Sequence, residues 1–441
     1  MRTRGANKGL APGVVAVVVA LFFSLVLTAK PAYAKTFTVN STGNANGKCV
    51  PFSLFTNCSL REAINAANSN DNAPILDTIA FNIQGSGVQT LTPDSELPPI
   101  TEPVTIDGYT QRPCSSNPAP CSRPNTSAQG AINSYLLIEL DGSDAGSNAY
   151  GLNVEASNTL IKGLIIINFG DDGIDSPESA KGLKVKGNLL GTDNLGGSGL
   201  GNIDGVDLDG NNTIVGGTTP AARNLMFGNL DDGVSTSSSG SRVEGNIISS
   251  NQGDGVSISG SNNTVGGTVS GAANIILANG RDGVRVANVP VTGNRILSNY
   301  INSNVQLGID LSGGIEDPPP VIGITLNDPK DKDTGPNGLQ NYPWLDDAEF
   351  SLPHTTTFTG TLNSRPEKKF TIQFFSSEMG DPEGFGEGQT FVGQKKVETN
   401  RNGNASFTFT TTLPDLGDAI SATATGGGGT SEFAHWIDVS L

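Results

Sequence analysis

An all-β chain is predicted, built round a parallel β-helix (a solenoid), with a helical cap before it and an antiparallel β-sandwich after it. Asn-apolar-apolar-x-x-Asn recurs from Asn224 to Asn229, Asn246 to Asn251 and Asn274 to Asn279, with a looser copy from Asn294 to Asn299. The steps between first Asn residues are 22, 28 and 20. Asp-Gly-Val follows each of the first three copies, at Asp232, Asp254 and Asp282, and earlier relatives begin at Asp172 and Asp204. Composition agrees: 57 Gly and 25 Pro among 441 residues, with only 16% charged, suit short strands joined by tight turns.

The elements follow in chain order. Arg2, Arg4 and Lys8 precede an apolar run from Val14 to Leu27, and Ala32-Tyr33-Ala34 supplies a small-x-small cleavage pattern. Residues 1–34 are therefore read as a secretory signal peptide, cut before Lys35. Removing its four basic side chains leaves 22 basic against 43 acidic residues, a formal charge of −21. No later apolar run is long enough to span a membrane, and no Lys/Arg stretch could follow a phosphate backbone, which argues against nucleic-acid binding. Export permits disulfides. Cys49 with Cys58 and Cys114 with Cys121 are the favoured pairs of three formal connectivities.

Residues 35–78 form the cap segment. Phe37 and Val39 alternate with polar neighbours, as in a short strand. Ser59 and Glu62 then make a capping box before the apolar stripe Leu60, Ala63, Ile64 and Ala67, which predicts a helix covering one end of the sheets. Residues 79–315 form the coils. Each coil would lay one rung on each of three parallel sheets, with apolar side chains stacked inward and Asn amides laddered from rung to rung. The insert beginning Asn-Asn-Thr at Asn211 and Asn262, 51 residues apart, predicts alternating long and short coils.

Cys58 to Ala63 spells CSLREA, so the front of the chain resembles the CSLREA-type segment of secreted bacterial proteins. With Phe81-Asn-Ile83, Leu97-Pro-Pro-Ile-Thr101, Val104-Thr-Ile-Asp-Gly108 and the Asp-Gly-Val repeats, residues 79 to 315 resemble the right-handed, pectin-lyase-like β-helix. That resemblance implies architecture more than chemistry, because the fold hosts lyases, hydrolases, adhesins and scaffolds.

Residues 316–342 break the coil pattern as an acidic linker. Asp328, Asp331, Asp333 and Asn337 gather oxygen donors in a short Gly/Pro loop, which suits Ca²⁺, although Pro336 and the lack of a closing Glu exclude an EF-hand. Residues 343–441 alternate again at Phe358–Leu362, Phe370–Phe375, Val392–Val397, Ala405–Phe409 and Ile420–Ala424, which predicts a β-sandwich. Trp344 and Trp436 are expected in its core or at a domain seam.

Candidate chemistry is sparse. The two histidines, His354 and His435, lie outside the coils, so the Gly-His-Gly segment of polygalacturonase-like hydrolases is absent. Asp171-Asp172 and Asp231-Asp232 sit at a repeated turn position and are read as turn residues. Asp204, Asp207 and Asp209 are the best acidic cluster, with Asp207 and Asp209 on one face of a strand. Arg281 and Arg285 are the candidate bases for a lyase using Ca²⁺. Tyr109, Tyr135, Tyr150 and Tyr300 are the candidate sugar platforms. The leading expectation is a monomeric, exported, non-catalytic surface or matrix protein that contacts polysaccharide or cell-surface glycan. The alternative is a polysaccharide lyase or glycoside hydrolase acting on acidic glycans with Ca²⁺.

Overall fold

The structure is a computed structural model that describes residues 33–44, 48–51, 57–70, 75–128, 130–287, 290–312, 323–351, 355–380, 384–413 and 416–440. Of the expected signal peptide only Tyr33 and Ala34 are among these residues, and the expected boundary at 315/316 lies outside them.

Three parallel sheets of nine, eight and seven strands run through the coils, and from Val104 onward each coil contributes one strand to each sheet in turn. In a representative coil, Arg242–Glu244 lies in the first sheet, Ile247–Ser249 in the second and Val256–Ile258 in the third. Like residues stand over one another. Val185, Val215, Val243, Val265 and Ile296 pair in register in the first sheet, and Ile174, Val206, Val234, Val256, Val284 and Ile309 in the third. These side chains are buried in one continuous core. The predicted solenoid is therefore present, with rungs ~4.8 Å apart.

Two amide columns mark the corners. Asn188, Asn224, Asn246, Asn274 and Asn299 stack where the first sheet turns into the second, each Nδ2 donating to the next Oδ1 at 2.9 to 3.2 Å. Asn202, Asn229, Asn251, Asn279 and Asn304 do the same before the third sheet, at 2.9 to 3.4 Å. An amide both donates and accepts, so a buried column of them leaves no rung unsatisfied.

At the front, strands Thr36–Val39 and Asp77–Phe81 extend the first sheet. The helix Leu60–Asn68 has the expected reciprocal cap: the Ser59 N–H donates to Glu62 Oε2 at 3.0 Å, and the Glu62 N–H to Ser59 Oγ at 3.3 Å. Its Leu60, Ala63, Ile64 and Ala67 join the coil core. Both expected disulfides, Cys49–Cys58 and Cys114–Cys121, are present.

At the other end, a three-stranded sheet (Trp344–Ser351, Thr355–Asn363, Asn404–Thr411) faces a four-stranded one (Thr390–Glu398, Lys369–Ser377, Ala419–Thr425, Ile437–Asp438). Phe358, Phe374, Phe407 and Ile372 fill the space between them. This sandwich is not merely a trailing domain. It closes the last coil, whose N–H groups would otherwise form open sheet edges. Thr430 Oγ1 accepts from Ile296 N at 3.0 Å, Gly388 O from Ile301 N at 2.9 Å and Glu432 Oε1 from Leu311 N at 2.9 Å, so each of the three sheets is capped, and Glu387 Oε1 closes the second amide column by accepting from Asn304 N at 3.1 Å. Phe375 and Phe433 plug the core beneath these caps. Within 323–342, Ile324, Leu339 and Tyr342 are buried. One expectation needs correction. Trp344 belongs to neither core nor seam, being 59% exposed, because its strand position faces solvent.

Candidate functional site

The Asp-Gly-Val repeat places one carboxylate per coil just before each third-sheet strand. Asp172, Asp204, Asp232, Asp254 and Asp282 form a column in which each Oδ1 accepts the backbone N–H of the following coil, at 2.6 to 3.0 Å up to Asp282 and at 2.8 Å from Leu307. The turn reading thus covers Asp172 and Asp232, but the column has a consequence that it did not foresee. Burial is the largest influence on every member, and neighbouring carboxylates add repulsion. Asp172 and Asp232 are pushed up to about 7, and Asp204 and Asp282 to about 8.

Beside this column, the outward row of the third sheet reads Asn153, Asp175, Asp207, Ser235, Ser257, Arg285 and Asp310, paired in register. Asp172, Asp175 and Asp207 converge, with a carboxylate oxygen from each within 4.8 Å of the others. Asp175 is pushed up to about 7, mainly by burial and then by Asp207, Asp209 and Asp171, and Asp207 is raised by burial and by Asp209. Tyr150 stands next to this group. Burial and the charges of Asp175, Asp171 and Asp172 push its phenol up to about 12. Among the described residues, no salt bridge neutralises Asp172, Asp175, Asp207 or Asp209.

The structure brings together only part of the acidic set named from the sequence. Asp207 is at the convergence and Asp209 adjoins it, but Asp204 belongs to the inner column, and Asp172 and Asp175 complete the cluster. Register was the missing signal: Asp175 pairs with Asp207 only once the insert between the coils is placed. The candidate bases are elsewhere. Arg285 lies three rungs from Asp207, near Asp254 at 3.9 Å and Asp310 at 3.7 Å, while Arg281 faces Asp231 at 3.6 Å.

The acidic loop also differs from expectation. Asp328, Asp331 and Asp333 do converge within 4.8 Å, but Arg365 contacts Asp331 at 3.1 Å, and Asp331 Oδ1 accepts from Asn341 N at 2.8 Å. Asn337 is occupied elsewhere. Its Oδ1 accepts from Asn294 N, and its Nδ2 donates to Asn294 O and Thr430 O, all at 3.0 Å. It caps a coil rather than serving as an ion ligand.

Of the other aromatic candidates, Tyr109 is tied by its hydroxyl to Gly187 O at 2.8 Å, Tyr135 sits under Arg123 at 5.7 Å, and the Tyr300 hydroxyl accepts from Gln389 at 3.3 Å. Only Tyr150 adjoins the carboxylate cluster.

No family model and no curated protein matches the chain. Among solved structures it is similar to a periplasmic alginate epimerase, at 16% identity and a TM-score of 0.32 over 55% of this chain and 58% of that one. A pectate lyase gives 15% and 0.34 over 63% and 74%, and a tailspike protein of an Escherichia coli O157:H7 bacteriophage gives 11% and 0.30 over 86% and 66%. The chain spans under two thirds of the epimerase. These likenesses are distant, and the fold rests on the strand registers above.

Proposed function

We propose that the protein is an exported, non-catalytic β-helix that binds polysaccharide through Ca²⁺ held on its third-sheet face. The convergence of Asp172, Asp175 and Asp207 carries this reading. Carboxylates this close either keep protons or take a cation, and the oxygen-only donor set suits Ca²⁺. Such an ion would leave coordination positions for sugar oxygens, with Tyr150 and the Ser235–Ser257 row alongside. The ion would also offset the repulsion between an acidic protein and a uronate glycan. Among the described residues, no Lys or Arg pairs with the cluster, which favours binding over lyase chemistry that uses such a base. The Asp328–Asp331–Asp333 loop is proposed as a second, structural Ca²⁺ position, partly neutralised by Arg365.

The test is incubation of the protein with uronic-acid glycans and Ca²⁺, following bound glycan, reducing ends and the ultraviolet absorbance of unsaturated products. Retention without product is expected, with a Ca²⁺-dependent part that Asp175→Asn/Asp207→Asn removes. Product formation abolished by Asp207→Ala would replace this reading with the lyase.

A further inference from the structure

The first sheet carries a different pattern on its outer face. Its basic residues recur at alternate rungs: Lys184 pairs with Ile214, Ile214 with Arg242, Arg242 with Thr264 and Thr264 with Arg295. Lys184, Arg242 and Arg295 are exposed, and the rungs between them present the half-buried Ile214 and Thr264, with Leu160 in the preceding rung. The turn two residues earlier alternates in step. Asn158, Asn212 and Asn262 are exposed and have φ near +60°, while the intervening rungs carry Gly182, Gly240 and Gly293. Each of those glycines lies against the Asn amide of the rung before it, where a Cβ would fall 2.5 to 2.9 Å from Oδ1. The alternating coils thus write a two-rung unit on this face: Asn with Leu, Ile or Thr, then Gly with Lys or Arg.

We infer that this stripe binds an extended anionic polysaccharide whose negative groups recur every second sugar along one edge. Two rungs are about 9.6 Å at ~4.8 Å each. In a two-fold uronate ribbon successive residues point to opposite edges, so the carboxylates on one edge have a repeat of this kind. Lys184 and Arg295 would meet those carboxylates, Arg242 would offer the guanidinium N–H groups that Glu244 leaves open, the Asn amides would meet the hydroxyls of alternate residues, and Leu160, Ile214 and Thr264 the sugar faces. The acidic groups on the face are already matched, Asp107 to Lys162 at 2.8 Å and Glu244 to Arg242. Lys186 lies over Lys162 and adds positive charge at one end. The stripe is separate from the third-sheet carboxylates and requires no metal.

Titration of the full chain with a linear oligouronate in EDTA tests this independently of calcium. Binding is expected without Ca²⁺ and should weaken as salt rises. Lys184→Gln/Arg295→Gln should weaken it about tenfold. Asp175→Asn/Asp207→Asn should leave it intact. The deciding variant is Lys184→Thr/Ile214→Lys, which keeps net charge and moves one cation by a single rung. Its affinity should also fall several-fold while its melting curve stays like wild type. Absence of binding in EDTA, wild-type affinity in the shifted variant, or equally tight binding of a neutral glycan or single-stranded DNA would each overturn the inference.

Discussion

The Asn columns and the Asp column stack like residues over the same coils, with opposite electrostatic results. Each amide donates to the next, so Asn229, Asn251 and Asn279 satisfy one another deep in the structure. A carboxylate can only accept until it is protonated. Asp204, Asp232 and Asp254 are held by backbone N–H groups, yet they crowd negative charge along a line. The neutral column stabilises the solenoid, while the acidic one favours keeping its protons. One repeat unit thus carries both a structural and a titrating column.

The largest effect should come from breaking the amide column in its middle. Asn251→Ala strands the N–H and Nδ2 of Asn229, and chemical denaturation should show a loss of about 3–5 kcal/mol. A smaller loss, about 2–3 kcal/mol, is expected from Glu387→Ala, which removes the column's acceptor at the sandwich end. Glu387→Gln should recover most of it.

The Asp column should behave in the opposite sense. Its folded pKa values lie above the unfolded carboxylate value, so the native state holds more protons than the unfolded one from about pH 4 to about pH 8. Stability from this source is present at low pH and lost as pH rises through that window. Asp232→Asn should therefore raise stability near pH 8 by about 1 kcal/mol and give no gain near pH 4. Melting curves across pH would show this, and an equal effect at both ends would contradict it.

Much of this comparison was legible in the sequence. The Asn and Asp-Gly-Val spacings gave the rungs, the capping box gave the helix, and the alternation after Phe358 gave the sandwich. What local pattern could not give was register. The coils are unequal in length, so neither the Asp172–Asp175–Asp207 convergence nor the two-rung cation pattern is visible until strands are paired. Long-range capping was hidden for the same reason: Glu387, Thr430 and Glu432 look like ordinary loop residues until the last coil lies beneath them. Asn337 was misplaced because its acidic neighbours suggested an ion site, whereas its nearest partner, Asn294, is 43 residues away.

The most direct measurement is calorimetric titration of Ca²⁺ into wild type and Asp175→Asn/Asp207→Asn at near-neutral pH, with proton release followed in buffers of different ionisation enthalpy. The account predicts a binding event that releases protons from the raised carboxylates in wild type and disappears in the variant, while any event at the Asp328–Asp333 loop persists. Identical titrations for the two proteins, or no heat in wild type, would contradict the assignment of the third-sheet face as a cation site.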